Sequence, residues 1–252
     1  MIRGHRALPD RRMSSLSASP PRLPEHFPVT FLGGGNMAAA LIAGLLRSGH
    51  LPSAVTVVEI DAARAAKLKV DFGISVVNMP PNRLSHQMLV LAVKPQQMQA
   101  ALRTLRLTPD CVVVSIAAGI SISQLADDLP ADCAIIRCMP NSPALAGAGM
   151  TALYADASVA DTAKAQAHAL MMTAGACTWV DDEARLDAVT AVSGSGPAYF
   201  LRLAEALATA GTELGLDAEV APTLARQPLI GTGALLALQP QVDLATLRAP
   251  VP

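Results

Sequence analysis

Short apolar runs alternate with stretches whose apolar residues recur at helical spacing, from residue 29 to about residue 138. Unbroken Val, Ile and Leu runs of strand length are typical of a parallel sheet that is covered by helices on both faces. The pattern predicts a doubly wound α/β domain, with ligands at the carboxyl ends of its strands. The strands are predicted at 29–32, 54–59, 88–93, 111–115 and 134–138, and the helices at 36–47, 62–72, 95–105 and 122–127.

The pattern changes at about residue 156, after which we expect no further strands. The later segments are rich in Ala and Leu at helical spacing, which predicts helices at 159–174, 183–192, 196–214 and 217–238. These helices carry more apolar surface than one small bundle would bury, which favours association of two chains through them. The predicted organisation is therefore a disordered leader at 1–28, a sheet domain at 29–155 and a helical domain at 156–252.

The leader contains arginines among prolines and serines and has no apolar periodicity. An Arg-rich leader of this kind can be an organelle transit peptide, although an amphipathic stretch is missing. The alternative is a tail without function, or a start codon placed too early with Met13 as the other candidate.

Composition excludes several classes of protein. The chain of 252 residues is 52% hydrophobic, yet no apolar run reaches the ~20 residues that a membrane-spanning helix needs. A net charge of −1 and an aromatic content of 3% provide neither a basic nor a stacking surface for nucleic acid. The four cysteines lack paired spacing and the five histidines stand singly, so neither a metal site nor a Ser/His/Asp triad is predicted. We expect a cytoplasmic protein that acts on a small molecule, without a nucleic-acid or membrane partner.

A glycine turn, Gly33-x-Gly35-x-x-Ala38, joins the first strand to the first helix. Such a turn lets the backbone approach a phosphate and directs free N–H groups at it, which predicts a dinucleotide site. The alternative is a tight turn in an ordinary connection.

Glu59 ends the second strand, where a carboxylate can accept a hydrogen bond from a ribose 2′-OH and repels a 2′-phosphate. The alternative for Glu59 is a solvated carboxylate at the end of a strand.

Two longer segments resemble a known enzyme family. The segments RCMPNSPALAGAGMTAL at 137–153 and DAVTAVSGSGPAY at 187–199 are similar to signature segments of pyrroline-5-carboxylate reductases. GGGNMA in the glycine turn, AVKPQ at 92–96 and SIAAG at 115–119 match that family in the same order. The resemblance extends over about residues 29–247, and SGSGPAY is its most specific part.

The resemblance implies a fold and a reaction. The expected fold is a Rossmann-like doubly wound parallel sheet followed by an all-helical dimerisation domain, in a homodimer or larger homo-oligomer. The expected reaction is hydride transfer from NADP or NAD, in their reduced forms, to the C=N bond of 1-pyrroline-5-carboxylate, which gives L-proline in the last step of proline biosynthesis. A cyclic imine arrives protonated, so catalysis rests on positioning, and no catalytic acid or base is assigned.

The resemblance also assigns residues to the site. The cofactor-binding candidates are Gly33, Gly34, Gly35, Asn36 and Met37 at the pyrophosphate, Glu59 at the adenosine ribose, Asn78 at the adenine, and Ala92, Val93, Lys94, Pro95, Ala117 and Ala118 along the nicotinamide half. The substrate-binding candidates are Glu183, Ser193, Gly194, Ser195, Gly196 and Pro197. For Glu183 the alternative is a solvated carboxylate at the start of a helix.

The chain also departs from the family pattern. Glu59-Ile60-Asp61 stands where the family often has Ser or Asn followed by Arg, which tilts the expectation toward NAD, with Arg64 as a compensating cation. Pro228 lies inside a predicted helix, where it removes one hydrogen bond. After Leu247-Arg248 the chain reads Ala-Pro-Val-Pro and not the family's SPGG segment for the substrate carboxylate.

Three functions follow from these matches and departures. The first is a functional reductase of pyrroline-5-carboxylate. The second is a family member that folds, dimerises and binds the cofactor but has impaired turnover, because the SPGG segment is absent from the sequence. The third, a related hydroxy-acid dehydrogenase, is disfavoured by SGSGPAY.

Overall fold

A single sheet of eight strands, in the order β3-β2-β1-β4-β5-β6-β7-β8, organises the computed structural model, which describes residues 22–250. The first six strands are parallel, β7 is antiparallel to β6, and β8 is parallel to β7. The strands are β1 (Val29–Leu32), β2 (Val55–Val58), β3 (Ser75–Val77), β4 (Met88–Leu91), β5 (Val112–Ser115), β6 (Ala134–Met139), β7 (Gly149–Ala155) and β8 (Gly175–Trp179).

Helices cover both faces of this sheet. They are α1 (Asn36–Arg47), α2 (Ala62–Phe72), α3 (Met98–Leu102), α4 (Ile122–Ala126) and α5 (Asp161–Met172). One core contains Leu41, Leu68 and Leu170 from α1, α2 and α5, and the other contains Leu102 and Leu125 from α3 and α4. Alternate residues of each strand supply the two cores, because successive side chains point to opposite faces. The predicted Rossmann-like doubly wound sheet is therefore confirmed.

The helical part follows the sheet. It consists of α6 (Arg185–Val189), a π-helical turn (Thr190–Gly194), α7 (Gly196–Glu213), α8 (Val220–Leu238) and α9 (Leu244–Arg248). Pro228 lies within α8, and the helix continues past it to Leu238. No helix in residues 22–250 has the length and hydrophobicity required to cross a membrane.

Helices α7 and α8 expose many large apolar side chains. Leu207 is 54% exposed, and the same helices expose Tyr199, Phe200, Leu201, Leu203, Leu224 and Ile230. A single chain rarely leaves so much contiguous apolar surface in contact with water. These side chains are therefore available to a second copy of the chain, as the pattern of the sequence predicts.

The structure corrects the prediction that strands end at residue 155. Both α5 and β8 follow that position, and β8 pairs with β7 along its length, so the sheet continues to Trp179 and the predicted domain boundary falls within it. The sequence of β8, GACTW, has small residues and only partial burial at the edge of the sheet. Such a strand lacks the apolar run by which a buried strand is recognised.

The prediction of a disordered leader is wrong for its last residues, 22–28, which are ordered. Residues 1–21 lie outside the described residues. Leu23 and Phe27 pack against the core, and the N–H of Leu51 donates to the carbonyl of Glu25. Two isolated apolar residues among prolines have no periodicity, so only their tertiary contacts reveal that they are ordered.

Two predicted helices are shorter in the structure. The segment 95–105 forms a 3₁₀ turn at 95–97 followed by the short helix α3. The segment 183–192 forms α6 and then changes to the π-helical turn. A π-helical turn is rare and has no simple sequence pattern, so helical spacing alone does not predict it.

Candidate active site

The glycine turn lies at the carboxyl end of β1, and the sheet extends from this strand in both directions. β1 pairs with β2 on one side and with β4 on the other, so this is the point at which the strand order reverses. In open α/β sheets, ligands bind in the crevice at this point. Gly33 has φ +98, and a Cβ there would stand 2.9 Å from the carbonyl oxygen of Ala92. The turn and the end of β4 therefore approach each other too closely for a larger residue.

Gly34 and Gly35 differ in their surroundings. A Cβ on Gly34 would lie 2.5 Å from Cδ1 of Leu68, so the Leu68 side chain would have to shift to admit a larger residue. A Cβ on Gly35 would meet no atom within 4 Å, and its φ of −67 is accessible to any residue. The open space in front of Gly35 is what the approach of a phosphate requires.

Backbone N–H groups face this open space from the start of α1. The first helical hydrogen bond runs from the N–H of Ala39 to the carbonyl of Gly35, so the preceding N–H groups have no helical acceptor. No side chain caps this end of α1. Together with the positive end of the helix dipole, these N–H groups fit the pyrophosphate of a dinucleotide.

Glu59 lies beneath the turn and is only 6% exposed, which rules out the solvated strand end. Its carboxylate accepts from the N–H of Gly34 at 3.0 Å, from the N–H of Asp61 at 2.9 Å and from Arg64 Nη1 at 3.1 Å. Burial alone would raise the pKa of Glu59, but the N–H groups of Asp61 and Gly34, with Arg64, outweigh it and lower the pKa. The carboxylate is therefore charged at neutral pH and holds the turn in place.

The remaining cofactor candidates lie along the same sheet edge. Asn78 is exposed after β3, Ala92 and Val93 follow β4, and Lys94 and Pro95 begin the exposed 3₁₀ turn. Ala117 is buried and Ala118 is exposed after β5. The strand order thus places these candidates in a row that runs from β3, through the glycine turn, to β5.

The substrate candidates at 193–197 lie at the end of β6, the next strand in that row. The side-chain Nδ2 of Asn141 donates to the carbonyl of Ser193 at 2.9 Å. A Cβ on Gly194 would stand 2.9 Å from Cε of Met139, so the segment lies directly against the strand end. Gly196 is buried, and Ser195 and Pro197 are half-buried at the start of α7. The fold therefore brings the 193–197 segment to the edge that carries the glycine turn.

Glu183 is not a solvated carboxylate. Its Oε1 accepts from Nη1 of Arg137 at 2.7 Å and from the N–H of Ile122, at the start of α4, at 2.7 Å. The side chain of Arg137 is 11% exposed and that of Glu183 is 27% exposed. The ion pair thus joins β6 to the start of the helical part.

Arg137 and Asn141 contact the substrate candidates Glu183 and Ser193, and the sequence prediction named neither of them individually. Both lie within the segment RCMPNSP that carries the family resemblance. A polar residue next to the carboxyl end of a predicted parallel strand was the available signal, the same signal that identified Glu59.

Comparisons with known proteins agree with this geometry. The family model described as "Pyrroline-5-carboxylate reductase dimerisation" matches residues 183–251, and that described as "NADP oxidoreductase coenzyme F420-dependent" matches residues 28–119. The pyrroline-5-carboxylate reductase of Pseudomonas aeruginosa is 43% identical over 87% of this chain and 81% of its own length. That of Haemophilus influenzae is 37% identical over 89% of this chain and 83% of its own length.

The chain belongs to the pyrroline-5-carboxylate reductase family. The solved structure of a pyrroline-5-carboxylate reductase from Coxiella burnetii superimposes with a TM-score of 0.80 and 33% identity, covering 90% of this chain and 85% of that one. The family and the fold class expected from the sequence are thus confirmed. Membership of this family, with its dimerisation model on the helical part, also identifies the chain as a homo-oligomer.

Proposed function

We propose that this protein reduces 1-pyrroline-5-carboxylate to L-proline with reduced NAD or NADP. The observation that carries the proposal is the hydrogen bond from Asn141 to Ser193, which seats the SGSGP segment at the carboxyl end of β6. The glycine turn lies at the same edge, so the cofactor and substrate candidates face one crevice. In this proposal the crevice holds the hydride donor and the imine together.

The residues of the chain bind and orient the reactants. The N–H groups at the start of α1 hold the pyrophosphate, and Glu59 fixes the turn that presents them. The small side chain of the exposed Ala118 leaves room beside β5 for the nicotinamide half, whereas Ala117 packs into the core. The bound dinucleotide supplies the hydride.

Positioning supplies most of the expected rate enhancement. The imine carries its own proton at neutral pH, so the chain has only to hold the C=N carbon at reaction distance and to exclude water. Such orientation contributes about 7–11 kcal/mol to lowering a reaction barrier.

The proposed substrate segment adjoins the exposed apolar surface of the helical part. Helix α7 begins at the substrate segment and carries the exposed apolar side chains, including Tyr199 and Phe200. We infer that two chains associate through α7 and α8 as a dimer, which covers this surface and closes the substrate crevice.

The test is turnover by the purified full chain. We expect consumption of NADH or NADPH that depends on pyrroline-5-carboxylate, with L-proline identified as the product by chromatography.

Ala118→Leu fills the space beside β5 and should lower kcat/KM by about 100-fold, because a small displacement of the reactants is costly. Ala131→Leu is the matched control, since Ala131 is exposed and precedes β6 at the opposite edge of the sheet. Absence of turnover by the wild-type chain with either nucleotide would overturn the proposal.

A further inference from the structure

The carbonyl of Ser193 has lost its ordinary helical donor. In an α-helix that donor is the N–H four residues later, and here the residue is Pro197, which has none. The neighbouring N–H groups donate to other carbonyls. The N–H of Ser195 donates to the carbonyl of Thr190 at 2.8 Å, in the π-helical pattern, and the N–H of Ala198 donates to the carbonyl of Ser195. Ser193 therefore depends on a donor from outside its own segment.

Asn141 supplies that donor from a fixed orientation. Its Nδ2 lies 2.9 Å from the carbonyl oxygen of Ser193, and its Oδ1 accepts from the N–H of Met150 at 2.8 Å. The residue is 9% exposed. A flipped amide would place Oδ1 of Asn141 against the carbonyl oxygen of Ser193, and Nδ2 against the N–H of Met150. Only the observed orientation therefore forms both hydrogen bonds. The first residues of β7 thus direct the Asn141 donor at Ser193.

Two further contacts show that this face of β6 holds the helical part. Arg137 and Met139 precede Asn141 at alternate positions, so the three side chains share one face of the extended chain. Arg137 forms the ion pair with Glu183 before α6, and Met139 lies against Gly194. Asn141 is the contact that acts on the backbone of the substrate segment itself.

We propose that Asn141 is a positioning residue for imine reduction, which fixes the 193–197 backbone against the end of β6. The inference rests on the proposed function, because it concerns the distance between substrate and cofactor. Loss of the Asn141 donor frees the carbonyl of Ser193 and lets the segment move from the strand end. The glycine turn, held by Glu59, Asp61 and Arg64, shares none of these contacts and keeps its geometry.

Two variants separate the roles of the Asn141 amide. Asn141→Ala removes both hydrogen bonds, whereas Asn141→Asp keeps the acceptor for Met150 and replaces the donor with an oxygen that faces Ser193. We expect both variants to lower kcat/KM for pyrroline-5-carboxylate by about 10- to 100-fold. The Kd of the reduced nucleotide, measured by calorimetry, should stay within about twofold, because the glycine turn is a separate site. Asn82→Ala is the control, at an exposed position that precedes β4.

Each outcome either supports or overturns the positioning role of Asn141. A loss in kcat/KM with unchanged nucleotide Kd, in both variants and not in Asn82→Ala, supports the positioning role. Kinetics that match the wild type, a parallel loss of nucleotide binding, or failure of both variants to fold overturns it. Wild-type turnover is measured in the same assay, so failure of the proposed function is seen separately, before any variant is compared.

Discussion

Substitution of two adjacent glycines by alanine should separate packing from cofactor binding. Gly34 and Gly35 stand side by side in the turn, yet a Cβ on the first would lie 2.5 Å from Cδ1 of Leu68 and one on the second would contact no atom of the chain. Gly34→Ala is therefore expected to destabilise the fold. Gly35→Ala is expected to leave the fold intact and to place a methyl group in the path of the pyrophosphate.

The magnitudes follow from the contacts. Leu68 is 3% exposed and belongs to the core, so it has little room to move away from a new methyl group. Overpacking of this kind costs about 1–3 kcal/mol. For a chain of this size each kcal/mol lowers Tm by about 2–4 °C. Gly35→Ala should change stability by less, because the gain of about 0.4–1 kcal/mol from restricting the unfolded chain is opposed by the poorer N-cap that alanine provides for α1.

Thermal unfolding and calorimetric titration with NADPH and NADH measure the two effects. We expect Gly34→Ala to unfold at a lower temperature than the wild type. We expect Gly35→Ala to unfold closer to the wild-type temperature than Gly34→Ala does, and to bind nucleotide at least about tenfold more weakly than the wild type, which corresponds to about 1.4 kcal/mol. Wild-type affinity in Gly35→Ala would refute the assignment of the open space to the pyrophosphate. Wild-type stability in Gly34→Ala would refute the packing argument.

Two further predictions concern stability and assembly. Burial lowers the pKa of His50 below its usual value of 6.5, so the unfolded chain takes up the proton first. The free energy of unfolding should therefore fall as the pH drops below about 6.5, and less steeply in His50→Leu; equal slopes in denaturant titrations would contradict this. Leu207→Glu, at a 54% exposed position of α7, should shift the oligomer toward monomers in sedimentation, whereas Val70→Glu, at an 85% exposed position of α2, should not. An unchanged oligomer in Leu207→Glu would remove α7 from the interface.

Local signals in the sequence predicted the first half of the fold well. The bounds of β1, α1 and α2 agree with the sequence pattern to the residue. Gly73 ends α2 with φ +65, the left-handed conformation that glycine adopts readily at the end of a helix. β1 is buried throughout and α1 buries one face, so their periodicity is complete within a short window of sequence. α2 buries only Leu68, and its bounds follow instead from the cap at Asp61 and the glycine at its end.

The candidate site was predictable as a set of segments. The glycine turn, the strand ends at 92–95 and 117–118 and the segment at 193–197 fall at one edge of the sheet. Strand ends in a parallel sheet meet at that edge, so the sequence could place the glycine turn and the two strand ends together. The 193–197 segment follows no strand, and its place at this edge depends on the tertiary contact with Asn141. The individual roles of these residues in binding remain predictions for the experiments described above.

The sequence by itself determined the elements with strong periodicity, the cofactor turn and the family. Only the tertiary structure decided that β8 extends the sheet, that Leu23 and Phe27 join the core, and that Asn141 replaces the donor lost at Pro197. The physical reason is the distance along the chain over which each effect acts. A helical or strand pattern is written in neighbouring residues, whereas the hydrogen bond from Asn141 to Ser193 joins groups 52 residues apart and exists only once the sheet has formed.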